Sequence, residues 1–393
     1  MNKQNLDYGK APSAIRQLTE YGRKRKLEIG EENVFDFSIG NPNTPAPNQV
    51  KDTLINLLNE DPIKIHSYTS SPGNIDVRNS IATYLNKTYQ ASLDGNYIYL
   101  TCGAAAGLAI VINAIINEGD EVILFAPYFI EYKVFTEHAK GKVVIVNHDQ
   151  NLLPDFDDLK AKISAKTRLL IYNSPNNPSG VFYDEEVIKT LTGILKEKEE
   201  EYGEPIFLLS DEPYRELLYE GEKYPFITNY YEHSIVTYSF SKSLSLPGER
   251  IGYIAINPHQ DVTSDLFYAI CGAGRALGYI AAPSLFQHMT PHVLGLTSDL
   301  NFYKKNRDLL YQNLKEIGYE VIYPRGAFYM MVKSLEDDAY KFSEAAKEYE
   351  LLLVPSDPFG VKGYVRVCYA VSEKTIINSK EAFRKLYQRY KGE

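Results

Sequence analysis

Between residues 97 and 256, short apolar runs rich in β-branched and aromatic residues alternate with longer segments whose apolar positions recur at helical spacing. The runs are YIYL, EVILFA, KVVIV, RLLIY, IFLLS, IVTYSF and IGYIAI, with a helical pattern opening at Ala104 after the first. This alternation predicts an α/β fold, a large domain with a mostly parallel sheet flanked by helices. After residue 290 the pattern changes. The polar helix LTSDLNFYKKNRDLLYQNLKEIG leads to the runs YEVIYP, AFYMMV, LLLVP and YVRVCYAV, interspersed with helices, which predicts a smaller α+β domain. The first forty-odd residues hold a helix and the proline-rich GNPNTPAPNQV, expected to pack against that small domain. A chain of 393 residues exceeds the usual size of one core. The expected division is an N-terminal arm and part of the small domain over 1–44, the large domain over 45–290, and the small C-terminal domain over 291–393.

Composition narrows the function classes. A hydrophobic fraction of 44% and a charged fraction of 24% belong to an ordinary globular chain. The net charge of -9 argues against nucleic-acid or anionic-membrane partners, and the basic run Arg23–Lys26 reads as a solvated helix end. No apolar run approaches the ~20 residues needed to span a bilayer, and the first residues lack the apolar segment of a leader, so a soluble, cytoplasmic protein is expected. Cys102, Cys271 and Cys368 are too scattered for a disulfide framework and read as buried free thiols. The histidines show no ligand spacing, and no metal is expected.

Candidate chemistry collects where the strands end, the edge at which open α/β sheets bind ligands. YIYLT runs into CGAAAGL, where Gly103 opens a turn and Ala104–Ala106 begin a helix. Free amides and small side chains there suit a phosphate, although the same alanines also suit packing. EVILFA ends in PYFIEY, whose Phe129 either faces a planar ligand or joins the core. RLLIY ends in NSPNNPSG, a loop with Asn173, Asn176 and Asn177 for which turn chemistry is also a sufficient reason. IFLLS ends in DEPYREL, so Asp211 and Tyr214 share the edge, the carboxylate serving a ligand or capping a following helix. IVTYSF ends in SKSLSLPGER, which sets Lys242 at a strand end between serines with Arg250 eight positions on. Such a lysine is either solvated or desolvated into a nucleophilic amine. The glycines of GAGRALG follow a helical stretch and are not a dinucleotide fingerprint. Taken together, the amine, the phosphate-binding amides, the aromatic plate and the carboxylate fit one cofactor, pyridoxal 5'-phosphate.

With these residues the chain resembles the class I/II aminotransferases of pyridoxal-phosphate fold type I, the aspartate aminotransferase superfamily. The likeness runs through FSIGNPNTPAP, SYTSSPGNIDVRNSIATYL, TCGAAAGL, NEGDEVILFAPYFIEY, NSPNNPSGVFY, SDEPYREL, SFSKSLSLPGERIGY, PRGAFYMMV and GYVRVCYA in order. It implies that Lys242 is the Schiff-base lysine and general base. Phosphate would be bound by Arg250, Ser239, Ser241 and the amides of Gly103, Ala104 and Ala105. Phe129 would stack on the cofactor ring, Asn177 and Tyr214 would bond its oxygen, and Asp211 would keep its nitrogen protonated. Arg366 would bind the substrate α-carboxylate and Gly40 would line the substrate side, while Tyr68 would reach the neighbouring subunit's phosphate, which implies a homodimer with shared sites.

The implied activity is transfer of an amino group from an L-amino acid to a 2-oxo acid by a ping-pong mechanism. Small-molecule amino and oxo acids are the expected partners. The phosphate loop offers alanines where many relatives carry polar side chains. Arg275, in CGAGRALG, is the only arginine between Arg250 and Arg307; it either makes a surface salt bridge or reads a distal carboxylate through a bidentate contact, which slightly favours aspartate- or glutamate-type substrates. A C-S β-lyase of the same fold is an alternative. A second is a non-catalytic sensor domain, for which no DNA-binding module is expected before FSIGNP.

Overall fold

A computed structural model describes residues 1–11 and 13–392. The chain begins with helices Lys3–Lys10 and Ala14–Ile29 and a two-residue strand, β1 (Phe35–Asp36). The apolar runs that follow become β2 (Ile98–Thr101), β3 (Glu121–Phe125), β4 (Lys142–Val146), β5 (Thr167–Asn173), β6 (Phe207–Asp211), β7 (Ser234–Ser239) and β8 (Gly252–Ile256). They form one sheet in the order β2-β8-β7-β6-β5-β3-β4. Pairing is parallel except where β8 meets β2 and β7. Every residue of β2, β3 and β8 is buried, as unbroken apolar runs require when helices cover both faces of a sheet.

The C-terminal part carries β9 (Tyr329–Lys333), β10 (Leu351–Leu352), β11 (Val354–Pro355) and β12 (Tyr364–Cys368). β12 is the middle of a three-stranded antiparallel sheet between β11 and β9, while β10 pairs in parallel with β1. The N-terminal arm is thereby tied to this part of the molecule. The run YEVIYP is not a strand; it makes only an isolated bridge, Val321 to Val332. Pro324 has no N–H to extend a ladder, which stops the pairing there.

One large core surrounds the seven-stranded sheet, and a second gathers Phe37, Tyr303, Phe328, Phe342, Val365 and Phe383 around β9 and β12. Tyr214, Leu217 and Tyr219, from the segment after β6, belong to the second core. A third, smaller cluster seats Leu18 of the Ala14–Ile29 helix against Leu352, Val354 and Phe359. The basic run is not simply solvated: Arg25 pairs with Glu350 at 2.6 Å and Lys26 with Asp36 at 3.1 Å. All three cysteines are free, but only Cys368 is buried, while Cys102 and Cys271 are half-buried.

Candidate active site

Strand register brings the polar strand ends into one row. β5 and β6 align Asn173 with Asp211, and β6 and β7 align Asp211 with Thr237. A cavity of about 420 Å³ opens beyond this row. Of the residues singled out in the sequence, Gly40, Ala104, Ala105, Phe129, Asn173, Asn177, Asp211, Tyr214, Ser239, Ser241, Lys242, Arg250 and Arg366 line it.

At one end lies the start of the Ala104–Ile115 helix, with Gly103 as its N-cap and no side chain capping the first amides. Free amides at a helix start attract an anion. Gly103 has φ +82°, and a Cβ there would lie 2.7 Å from Arg250 Nη2. Only glycine leaves the guanidinium its place. Arg250, itself left-handed at φ 52°, donates to the carbonyls of Pro247 and Cys102. Ser239 and Ser241 share a hydrogen bond of 2.7 Å beside it. Amides, two hydroxyls and an arginine form a donor set suited to phosphate.

Lys242 does not sit on the strand itself. It occupies a one-turn helix, Phe240–Ser243, directly after β7, and its Nζ donates to Gly40 O at 2.7 Å. Burial, helped by the charges of Arg366 and Arg250, brings the amine down to about 8. About a tenth of it is therefore an uncharged nucleophile at pH 7, far more than for an ordinary lysine. No helix follows β6, so Asp211 caps nothing. It is 4% exposed and accepts hydrogen bonds from Tyr132 Oη at 2.6 Å and Thr237 Oγ1 at 3.4 Å. Burial pushes this carboxyl up to about 7, against those hydrogen bonds, which lower it.

The neighbouring acid shows what Asp211 lacks. Glu212, equally buried, is matched by Arg215 Nη1 at 2.9 Å. Asp211 has no cation among the described residues. A buried carboxylate facing a cavity without a counter-charge fits a ligand that brings a protonated ring nitrogen. Opposite it, Asn177 receives Arg366 Nη1 on its Oδ1 at 3.2 Å and leaves its NH2 for the cavity. The Tyr214 and Tyr329 hydroxyls lie 3.2 Å apart. These residues offer a carboxylate for a ring nitrogen, an amide and hydroxyls for a ring oxygen, and donors for a phosphate, the set that pyridoxal 5'-phosphate needs.

The far end is held by β12. Arg366 Nη2 donates to Ser38 O at 2.7 Å, its guanidinium lies 4.5 Å from the Tyr329 ring centroid, and its buried Nε has no partner. An orphaned N–H on a planar fork is what a carboxylate would satisfy. Gly40 is obligatory here, since a Cβ would lie inside the Tyr329 hydroxyl.

Two sequence candidates lie outside this cavity within their own chain. Tyr68 is fully exposed, and Arg275 is exposed near the end of helix Thr263–Ala276. Sequence reasoning in turn missed Tyr132, Tyr329, Ile15, Thr19 and Ile39. Ile39 and Tyr329 lie in the matched segments FSIGNPNTPAP and PRGAFYMMV, and Tyr132 follows Phe129 by three residues, the two rings meeting edge to face at 5.5 Å.

Comparison with known proteins finds a family model and relatives that cover nearly the whole chain. The family model for aminotransferase class I and II matches residues 32–383. A probable aspartate aminotransferase of Methanocaldococcus jannaschii is 30% identical, over 96% of this chain and 97% of its own. An amino transferase from Eubacterium rectale of known structure is 50% identical with TM-score 0.97, covering 99% of both chains. The aspartate aminotransferase of Thermus thermophilus, solved with maleate, is 25% identical with TM-score 0.86, covering 98% of this chain and 99% of its own.

Proposed function

The chain belongs to the class I and II aminotransferases, enzymes dependent on pyridoxal phosphate, and on that premise we propose the roles that its own residues play. The carrying observation is Asp211, a buried carboxylate without a cation, facing a cavity that also holds a depressed lysine amine. When bound, pyridoxal phosphate supplies an aldehyde that takes up the amino group and a ring that accepts the electron pair released at the substrate α-carbon.

Around that group Arg250, Ser239, Ser241 and the amides of Gly103, Ala104 and Ala105 hold the phosphate. Phe129 packs on the ring face, and Asp211, held by Tyr132 and Thr237, keeps the ring nitrogen protonated. Arg366 takes the substrate α-carboxylate in a bidentate grip, while Asn177 and Tyr214 fix the ring oxygen. Lys242 is the amine that carries the cofactor; once displaced, it moves a proton at the substrate α-carbon. Its depressed pKa keeps it competent for that transfer near neutral pH. The overall exchange is ping-pong, one amino acid leaving as a 2-oxo acid before the second oxo acid enters.

We further propose a division into an N-terminal arm over 1–44, a cofactor-binding domain over 45–290 and a small domain over 291–393, with Arg366 reaching the cleft from the last. The enzyme is a homodimer in this reading. Ile63, Tyr68, Tyr279 and Ile280 are exposed apolar residues. Their segments are tied together by Ser284 donating to Ile65 O and Gln287 donating to Thr69. Exposed apolar residues on linked segments are what a subunit interface would cover. No described helix is long and apolar enough to cross a membrane.

Borohydride reduction of cofactor-saturated protein followed by peptide mass mapping tests the assignment. A phosphopyridoxyl group on Lys242 is expected; one on any other lysine overturns it.

A further inference from the structure

Resting on Arg366 as the residue that takes the substrate α-carboxylate, we infer that Asp36, which does not itself line the cavity, is a positioning residue for that grip. The link is a short chain of hydrogen bonds. Asp36 Oδ1 accepts from both donors of Ser38, its N–H at 3.1 Å and its hydroxyl at 2.6 Å. Ser38 O in turn accepts from Arg366 Nη2 at 2.7 Å. Ser38 is fully buried, so water does not compete for either donor.

The carboxylate that sets Ser38 is fixed on its other side by the arm helix, Ala14–Ile29. Lys26 Nζ donates to Asp36 Oδ2 at 3.1 Å, and the Asp36 side chain is only 8% exposed. Gly22, one turn before Lys26, leaves room for it: a Cβ there would lie 3.2 Å from Asp36 Oδ2 and 2.6 Å from Leu352 Cδ1. Backbone bonds hold the next residue, Phe37 N to Leu352 O and Cys368 N to Phe37 O. β1 ends at Asp36, and Ser38 N turns from the ladder to the Asp36 side chain, so that side chain sets the direction of the Ser38 carbonyl. Arg366 keeps its Nη1 on Asn177 and its Nε free. With Nη2 on Ser38 as the second anchor, the plane of the fork is set before a carboxylate arrives. Loss of Asp36 would leave two buried donors of Ser38 unpaired, and the turn would shift to satisfy them.

The experiment uses holoenzyme and two compounds that react at the cofactor aldehyde, aminooxyacetate and O-methylhydroxylamine, which differ by one carboxylate. Rates of capture are read by cofactor absorbance. The parent should prefer aminooxyacetate, and Arg366→Ala should erase the preference. Asp36→Ala should lower it about tenfold, the effect of losing one hydrogen bond to a charged acceptor, while capture of O-methylhydroxylamine stays at the parental rate. Asp36→Asn, which keeps an acceptor for Ser38, should recover most of the preference. Ser38→Ala, which removes only the hydroxyl's bond, should fall between the two. Equal slowing of both compounds in Asp36→Ala, or no change in either, overturns the inference alone. Should that variant not fold, an unchanged preference in Ser38→Ala overturns it. A parent without the preference, or a preference that survives in Arg366→Ala, overturns the α-carboxylate reading of Arg366 and this inference with it.

Discussion

At the scale of the residue, Asp211 trades stability for function. Its carboxyl, pushed up to about 7 from the ordinary 3.8, holds its proton in the folded chain over a range where the unfolded chain has lost it. The folded state therefore binds more protons than the unfolded state between those values, and stability of cofactor-free protein falls as pH rises through that window. Asp211→Asn removes the buried charge. The cofactor-free variant should be more stable than the parent by about 2–4 kcal/mol at pH 8, with the difference vanishing below pH 4. Thermal unfolding across this range measures it. With the cofactor bound, a protonated ring nitrogen supplies the missing charge, and the parent should regain its stability at pH 8 while the variant loses most of its turnover. A variant of unchanged stability at every pH would contradict the account.

At the scale of the element, the start of the Ala104–Ile115 helix joins backbone geometry to ligand binding. Gly103→Ala forces a side chain into φ +82° and against Arg250. The expected cost is about 1–2 kcal/mol of stability. Pyridoxal phosphate should bind at least tenfold more weakly by fluorescence titration, while pyridoxal, which lacks the phosphate, should be nearly unaffected. Equal weakening of both would place the effect elsewhere. Such helix starts and strand ends were legible in the sequence because each is a local change of pattern, a short apolar run giving way to glycine, serine or proline. YEVIYP failed at its proline: Ile322 N bonds Met331 O and Lys333 N bonds Glu320 O, but Pro324 has no N–H and the pairing goes no further. Tyr132 and Asp211 stand 79 residues apart, and Ile15 and Thr19 reach the cavity only because their helix docks on Leu352. Contacts made by packing leave no periodic trace.

At the scale of the whole molecule, one chain assembles nearly all of the cavity but leaves Tyr68 outside it. That side chain is 103% exposed, and hydrogen bonds from Ser284 to Ile65 O and from Gln287 to Thr69 tie its segment to the helix that follows Tyr279 and Ile280. In a two-fold dimer a residue outside its own cavity can complete its partner's. This makes a distinct prediction from a tyrosine that merely decorates the surface. Lys242→Ala removes the reacting amine, and Tyr68→Ala should strongly weaken cofactor retention by removing a phosphate contact; each homodimer alone should be nearly inactive. In a hybrid, the subunit with an intact lysine receives the intact tyrosine of its Lys242→Ala partner, so one site of two is whole. Random exchange makes half the dimers hybrid, and mixing equal amounts should restore about a quarter of parental activity. Size-exclusion chromatography with light scattering should show the dimer throughout. No recovery on mixing, once exchange is verified by differently tagged subunits, would return Tyr68 to its own subunit or to the surface, and an active monomer would end the shared-site arrangement.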